Sequence, residues 1–390
     1  MPPAATDSRR LPVSPTVTST QRAHGAPGEP LLEVVDLHKH YPVKEGRVRK
    51  RQTATLRAVD GVTFTVHEGE SFGLVGESGC GKSTLAQTMT RLVEPTSGQV
   101  RYRGQDIMTM TKAELRGFRR KVQIVFQDPF ESLNPRKTVR QILGEPWEVH
   151  PDVVARKDRR RRAAELLEMV GLRPDHLDRY PGQFSGGQRQ RIGIARALAL
   201  EPELIVCDEP VSALDVSVQA QVINLLQELQ TELGLSYVFI AHDLGVVRHI
   251  ADSVGVMYLG RMVEHGAEAD IFERTQHPYT QALLRSVPVA RFGAGADRPP
   301  RQLLTGDVPS PINPPSGCRF RTRCAFATDR CAESEPLLPG YHTVGHGVAC
   351  HFPGIAAGVV EPARPSPTEA DAVTPARPQH IATEAVARPS

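Results

Sequence analysis

The sequence predicts an α/β fold, a sheet with helices packed on its faces. Three observations predict it. From "GESFGLVG" (69–76) onward, short apolar runs alternate with helical stretches, the mark of a sheet covered by helices. "VQIVF" (122–126), "LIVCD" (204–208) and "YVFIAHD" (237–243) are too short for buried helices and suit interior strands. A glycine-rich phosphate-binding pattern also stands between the strand in "GESFGLVG" and a helix.

In chain order, residues 1–30 are rich in Pro, Ala, Ser and Thr, bury too little apolar surface to offset ordering, and are expected to be disordered. The stretch 354–390 reads the same way. Structure begins at "LLEVVDLHKHYPV" (31–43), which alternates as a strand does. The basic segment 44–57 reads as an extended loop or hairpin insertion with a solvated surface. After the phosphate loop, "TLAQTMTRLV" (84–93) reads as the helix. Residues 128–200 are mostly helical in pattern and form a subdomain that interrupts the sheet. "RKDRRRR" (156–162) opens that block as a solvated helix face, and Gly171 closes "AAELLEMVGL" (163–172).

Charge and composition narrow the function. A formal net charge of +3 is too small to argue for a nucleic-acid partner. No stretch approaches the ~18 consecutive apolar residues of a membrane span. The N-terminus lacks the apolar core of a secretory signal, so a reducing compartment is expected, with no disulfide framework. Membrane association would then come through protein partners.

"GESGCGKST" (76–84) fits G-x-x-x-x-G-K-[ST] in the strand–loop–helix setting that the pattern requires. Gly76, Gly79 and Gly81 let the backbone aim N–H groups at phosphate oxygens, and the helix N-terminus behind them favours an anion. Glu77, Ser78, Cys80 and Thr84 complete the cradle, with Cys80 needing no chemical role. Lys82 can reach the β- and γ-phosphates, and Ser83 can ligand Mg²⁺. At the end of "LIVCDEP" (204–210), Asp208 suits a Mg²⁺ partner and Glu209 a base that orients and polarises the attacking water.

Together with these, "FSGGQRQRIGIARAL" (184–198) resembles the signature of ATP-binding-cassette ATPases. The resemblance covers about residues 31–290. It implies a P-loop NTPase cassette, a RecA-like core with an antiparallel β subdomain and a helical subdomain. "SALD" (212–215), with Asp215, is similar to the D-loop, Gln127 to the Q-loop residue that also faces Mg²⁺, and His242 to the switch histidine. Tyr41 falls where the family stacks an aromatic on adenine. Gln183 stands where many relatives carry Glu. Ser185, Gly186, Gly187 and Gln188 begin a helix whose free N–H groups favour an anion. By resemblance that anion is the γ-phosphate of ATP on a second ATPase subunit, expected to be a paralogue. Head-to-tail closure and opening of the pair would be the mechanical output.

"HPYTQALLRSVP" (277–288) and "VFQDPFESLNPRKTV" (125–139) resemble oligopeptide and dipeptide permease ATPases. That implies two membrane permease subunits, an extracytoplasmic solute-binding protein, and a peripheral place on the cytoplasmic face of the membrane. Nickel and other small-solute permeases share the tail. A soluble cassette acting on ribosomes or DNA is the reading from another class, but such proteins usually carry two cassettes or a long insertion.

Residues 291–353 are expected to form a small cysteine-containing domain. Cys318, Cys324, Cys331 and Cys350 are spaced x5, x6 and x18, with His351 adjacent. The short C-x₂₋₄-C knuckles of structural zinc are absent. Four thiolates are what an iron–sulfur cluster takes, and similar tails in some peptide-permease ATPases hold [4Fe–4S]. Zinc and unligated thiols stay open at this point. Nothing in the sequence places this segment near the phosphates, so Cys324→Ser is expected to leave ATP binding intact.

Overall fold

The computed structural model describes residues 28–45, 52–127, 132–286, 306–338 and 345–355. Strands β1 (Pro30–Glu45) and β2 (Gln52–His67) pair antiparallel as a long hairpin. The basic segment therefore divides: residues 44–45 and 52–57 are strand, and 46–51 lie outside the described residues. β4 (Ser97–Tyr102) and β5 (Gln105–Asp106) complete a four-stranded sheet in the order β2-β1-β4-β5. Leu32, Val34, Val62 and Phe64 of the hairpin are buried, so its apolar alternation faces the core.

The main sheet has seven strands. These are β3 (Ser71–Val75), β6 (Val122–Val125), β7 (Leu204–Asp208), β8 (Ser236–Ala241), β9 (Ser253–Tyr258), β10 (Arg261–Ala267) and β11 (Gly347–Val348). Their order is β11-β10-β9-β3-β8-β7-β6. β3 runs parallel to both β8 and β9, and β7 parallel to both β6 and β8. Every residue of β3, β7 and β8 is buried. That is why these strands read as continuous apolar runs and not as alternation. The carboxyl ends of β3 and β7 therefore meet on one edge, where α/β sheets bind ligands.

Helix α1 (Lys82–Met89) follows β3 directly. It ends four residues before Val93, where the sequence pattern placed its close. Thr90 turns its hydroxyl back onto the Ala86 carbonyl at 2.8 Å, and Arg91 has φ 52, a left-handed backbone that no helix continues through. Helix α2 (Lys112–Lys121) leads into β6, with a capping box between Thr111 and Glu114.

The helical subdomain contains α3 (Val139–Val149), α4 (Arg159–Met169) and α5 (Gly186–Leu198). Residues 128–131 lie outside the described residues. The arginine run does not open this block: α3 precedes it, started by a capping box of Thr138 and Gln141. Arg160 and Arg161 face solvent as expected, but Arg159 turns inward to donate to the Trp147 carbonyl. Fully buried Trp147 in turn donates its indole N–H to the Ala199 carbonyl at 2.7 Å, tying α3 to the end of α5.

The cysteine segment corrects the domain expectation. Its described residues do not build a separate core. Phe320 packs in the same buried cluster as Tyr258 and Tyr279, and β11 adds to the edge of the main sheet through β10. Arg319 pairs with Asp60 of β2 and donates to the Leu259 carbonyl. The expected boundary at 290/291 lies outside the described residues, as do most of both tails. Two tail assignments change: Pro30 begins β1, and Ile355 is buried, with Gly354 N–H on the Gln276 carbonyl at 2.9 Å.

Candidate active site at the phosphate loop

The loop from Gly76 to Gly81 connects β3 to α1, whose first turn carries Lys82, Ser83 and Thr84. Gly81 sits at φ +107, and a Cβ there would lie 1.9 Å from the Ala58 carbonyl oxygen. Backbone cannot yield as a flexible side chain can, so only glycine fits. Ser78 and Gly79 are exposed at the loop tip, whereas Cys80 is buried. The Cys80 thiol lies 4.0 Å from the Lys82 ammonium, and burial raises its pKa. It therefore packs as a small apolar side chain. Thr84 lies in the first turn of α1, its carbonyl accepting from Thr88 Oγ1 at 2.6 Å.

Lys82 is 4% exposed. Its ammonium donates to the carbonyls of Gly76 at 2.8 Å and Glu77 at 3.1 Å, and stands 3.8 Å from Glu209 Oε1. Ser83 Oγ donates to Asp208 Oδ1 at 3.0 Å. Burial pushes the Asp208 carboxyl up, Glu209 beside it adds to the rise, and Ser83 and Lys82 oppose it. Two adjacent acids and a hydroxyl make an oxygen-only set of the kind a divalent cation takes. A cation there would offset the cost of burying Asp208 as an anion.

Glu209 follows β7 with φ 47, a left-handed conformation uncommon for a non-glycine residue. Its Oε2 accepts from Gln127 Nε2 at 3.1 Å and lies 3.4 Å from His242 Nδ1. Three separate elements thus deliver Lys82, Gln127 and His242 to one carboxylate. All four are residues that the sequence singled out, each for its own part in the chemistry.

The signature residues stand elsewhere. Ser185 caps α5 by accepting from Gln188 N–H at 3.3 Å, and Gln188 Oε1 accepts from Ser185 N–H at 3.1 Å. Gly186 and Gly187 occupy the first turn, where N–H groups have no partner within the helix. A Cβ on Gly187 would lie 2.3 Å from Val218 Cγ1, so this turn sits tight against α6 (Val216–Leu233), which Asp215 precedes. No described hydrogen bond or ion pair joins residues 185–188 or Asp215 to the loop 76–84 of the same chain. The same holds for Tyr41, on β1, whose ring lies under the Lys39 ammonium at 4.8 Å.

Glu77 departs from its assignment. Its N–H donates to Tyr279 Oη at 3.0 Å, and its carboxylate takes two bonds from Arg323, at 2.6 and 3.0 Å. Neither group is left for a phosphate. Arg323 also overturns the expectation that nothing brings the cysteine segment near the phosphate loop. Tyr279 and Arg323 were missed as site residues. "HPY" was noticed as a tail motif, but no local pattern connects positions 202 and 246 residues from Glu77.

Cys318, Cys324, Cys331 and Cys350 line one small pocket with Phe352 and Ile355. Burial pushes the Cys318 thiol up to about 12 and Cys324 up to about 11, which makes both poor nucleophiles unless a metal takes the thiolate. Among the described residues, no three of these thiols lie within 4.8 Å of one another, whereas His38, His40 and Asp60 do form such a group. That group is a weak cation site. Arg57, Arg261 and Arg319 surround Asp60. Burial pushes its carboxyl up, but Arg319, His40 and Arg261 together more than offset this and hold it well below the usual carboxylate range. A dication would meet three guanidiniums.

Comparison with known proteins settles the family. The pattern described as "ABC transporter" matches residues 59–212, and "Oligopeptide/dipeptide transporter, C-terminal region" matches 263–331. The oligopeptide transport ATP-binding protein AppF of Bacillus subtilis (strain 168) is 53% identical over 325 residues, 83% of this chain and 98% of that one. The chain belongs to the ABC transporter ATPases. The cassette is also 53% identical over 321 residues to the oligopeptide transport ATP-binding protein OppF of Salmonella typhimurium, covering 82% of this chain and 95% of that one. Among solved structures, the dimeric post-hydrolysis cassette MJ0796 bound to ADP and Pi has a TM-score of 0.54 and 30% identity. It covers 61% of this chain and 99% of its own. The C-terminal family pattern begins at residue 263, in β10 of the main sheet, and runs from there into the cysteine segment.

Proposed function

We propose that this cassette is the ATP-hydrolysing subunit of an importer for di- or oligopeptides. The observation that carries the reading is the meeting of Lys82, Gln127 and His242 on Glu209, beside the Ser83–Asp208 pair. Lys82 and the N–H groups of residues 79–84 hold the phosphates of ATP. Mg²⁺ held by Ser83, Asp208 and Gln127 would supply charge neutralisation at the β- and γ-phosphates. Glu209 takes a proton from the attacking water, and His242 orients the reacting group from the other side. The signature turn at Ser185–Gln188 serves the nucleotide of a second cassette subunit, expected to be a paralogue. Two membrane permease subunits and an extracytoplasmic solute-binding protein complete the transporter. Among the described residues no helix is long and apolar enough to cross a membrane, so this chain is assigned to the cytoplasmic face through those partners.

Peptide cargo is supported by relatives named for oligopeptide and dipeptide transport at 51–55% identity. Vesicles carrying the assembled transporter are expected to accumulate labelled dipeptide when ATP is supplied on the cytoplasmic side. Accumulation of nickel in place of dipeptide would overturn the cargo.

We assign the four cysteines to a [4Fe–4S] cluster. The shared pocket supports this, because a four-iron cluster takes four thiolates. Cross-linking would supply stability to a segment poor in apolar side chains. Protein prepared without oxygen is expected to be brown, absorbing broadly near ~400 nm, with about four irons and four sulfides per chain. Colourless protein with one zinc per chain would contradict the assignment.

A further inference from the structure

Glu77 has all three of its polar groups committed. Its N–H is held by Tyr279 and its carboxylate by Arg323, both from the C-terminal region. Its carbonyl accepts from the Lys82 ammonium at 3.1 Å. A backbone carbonyl that steers the phosphate-binding lysine is therefore pinned by two side chains from the far end of the sequence.

We propose that Arg323 is a positioning residue for Lys82, and that through it the cysteine segment sets the affinity of the phosphate loop for ATP. The inference rests on the reading of this loop as the nucleotide site and does not require the iron–sulfur assignment.

The geometry carries it in three steps. First, the Arg323 side chain is 5% exposed and Glu77 23%, so water screens the pair little. A two-bond guanidinium–carboxylate contact fixes direction as well as distance, which a lysine's point charge does not. Second, Arg323 has a rigid seat. Its guanidinium stands 6.0 Å over the Tyr258 ring. Phe320, three residues earlier, packs 5.4 Å from Tyr258 and 5.3 Å from Tyr279 between ring centroids. Third, Arg323 immediately precedes Cys324 and lies between two pocket-lining thiols. Cys318 N–H donates to the Cys331 carbonyl at 2.7 Å, and Arg323 N–H to the Phe320 carbonyl at 3.0 Å. A change that spreads or empties the thiol pocket shifts the backbone from which Arg323 reaches the loop.

The test is equilibrium binding of Mg²⁺ with β,γ-imido-ATP to the full chain. Arg323→Ala is expected to weaken binding about tenfold, the scale of a lost charge-assisted hydrogen bond. Arg323→Lys should fall between the two, because it keeps the charge and loses the fork. Glu77→Gln should weaken binding comparably, and the double variant should be no worse than the weaker single one, the non-additivity expected of one pair. In the assembled transporter the loss should appear in KM for ATP more than in kcat, which a general loss of folded protein would not produce. Cys324→Ser is expected to move binding in the same direction, replacing the expectation that it leaves ATP binding intact. Should Arg323→Ala fail to fold, Arg323→Lys and Glu77→Gln carry the test. Native affinity in both of these, or additive losses in the double variant, would overturn the proposal.

Discussion

Glu209→Gln is expected to bind ATP and to release phosphate about 10²–10⁴-fold more slowly than the native chain, the range over which a positioned base contributes. The substitution keeps the shape of a side chain that is 14% exposed and keeps an acceptor for Gln127 Nε2, now 3.1 Å from Oε2. It removes the group that can take a proton from water. It also removes a negative charge 3.8 Å from the Lys82 ammonium. Lys82 then has one fewer competitor for its charge, so ATP affinity should hold or rise. With binding intact and hydrolysis blocked, the assembled variant should stay in the closed, ATP-bound arrangement. A steady-state phosphate-release assay decides this. Turnover within a few-fold of the native rate would remove Glu209 from the role of base and leave His242 as the nearest alternative.

The parts of this site that were legible in the sequence share one property. Each is a short contiguous string whose neighbours fix its geometry. Gly76–Thr84 must turn between a strand and a helix, and Asp208 and Glu209 must emerge at the end of the buried run Leu204–Asp208. Gln127 and His242 follow strands β6 and β8, on either side of β7, so the parallel order of the sheet brings them to Glu209. The helix start at Ser185–Gly187 was equally local, and the structure adds its capping box with Gln188.

What the sequence hid was long-range. Arg323 reaches Glu77 and Arg319 reaches Asp60 across 246 and 259 residues. The two residues of β11 are too few to show any periodicity, yet they join the tail to the main sheet. A segment with several prolines and few apolar residues reads as its own small unit because its core belongs to the cassette. Phe320 is buried against Tyr258 and Tyr279 of the cassette. The early end of α1 had a similar cause. It depends on the left-handed backbone at Arg91, and Arg91 Nη1 donates to the Ile107 carbonyl at 2.7 Å.

The central claim is that one chain holds only part of a working catalytic site. Lys82, Asp208, Glu209 and His242 gather on one edge of the sheet, while the signature turn at Ser185–Gln188 has no described bond to the phosphate loop of its own chain. Its Gly186 and Gly187 N–H groups lie in a first turn without helical partners. On the proposed reading those N–H groups serve the γ-phosphate of a second subunit, and donors preorganised in this way commonly account for about 10²–10³-fold in rate. The most direct measurement is phosphate release per chain, first in a dilute preparation shown by sedimentation to be monomeric, then in the assembled transporter at the same ATP concentration. The account predicts slow release from the monomer and a rise of about a hundredfold on assembly. Equal rates per chain in the two preparations would contradict it.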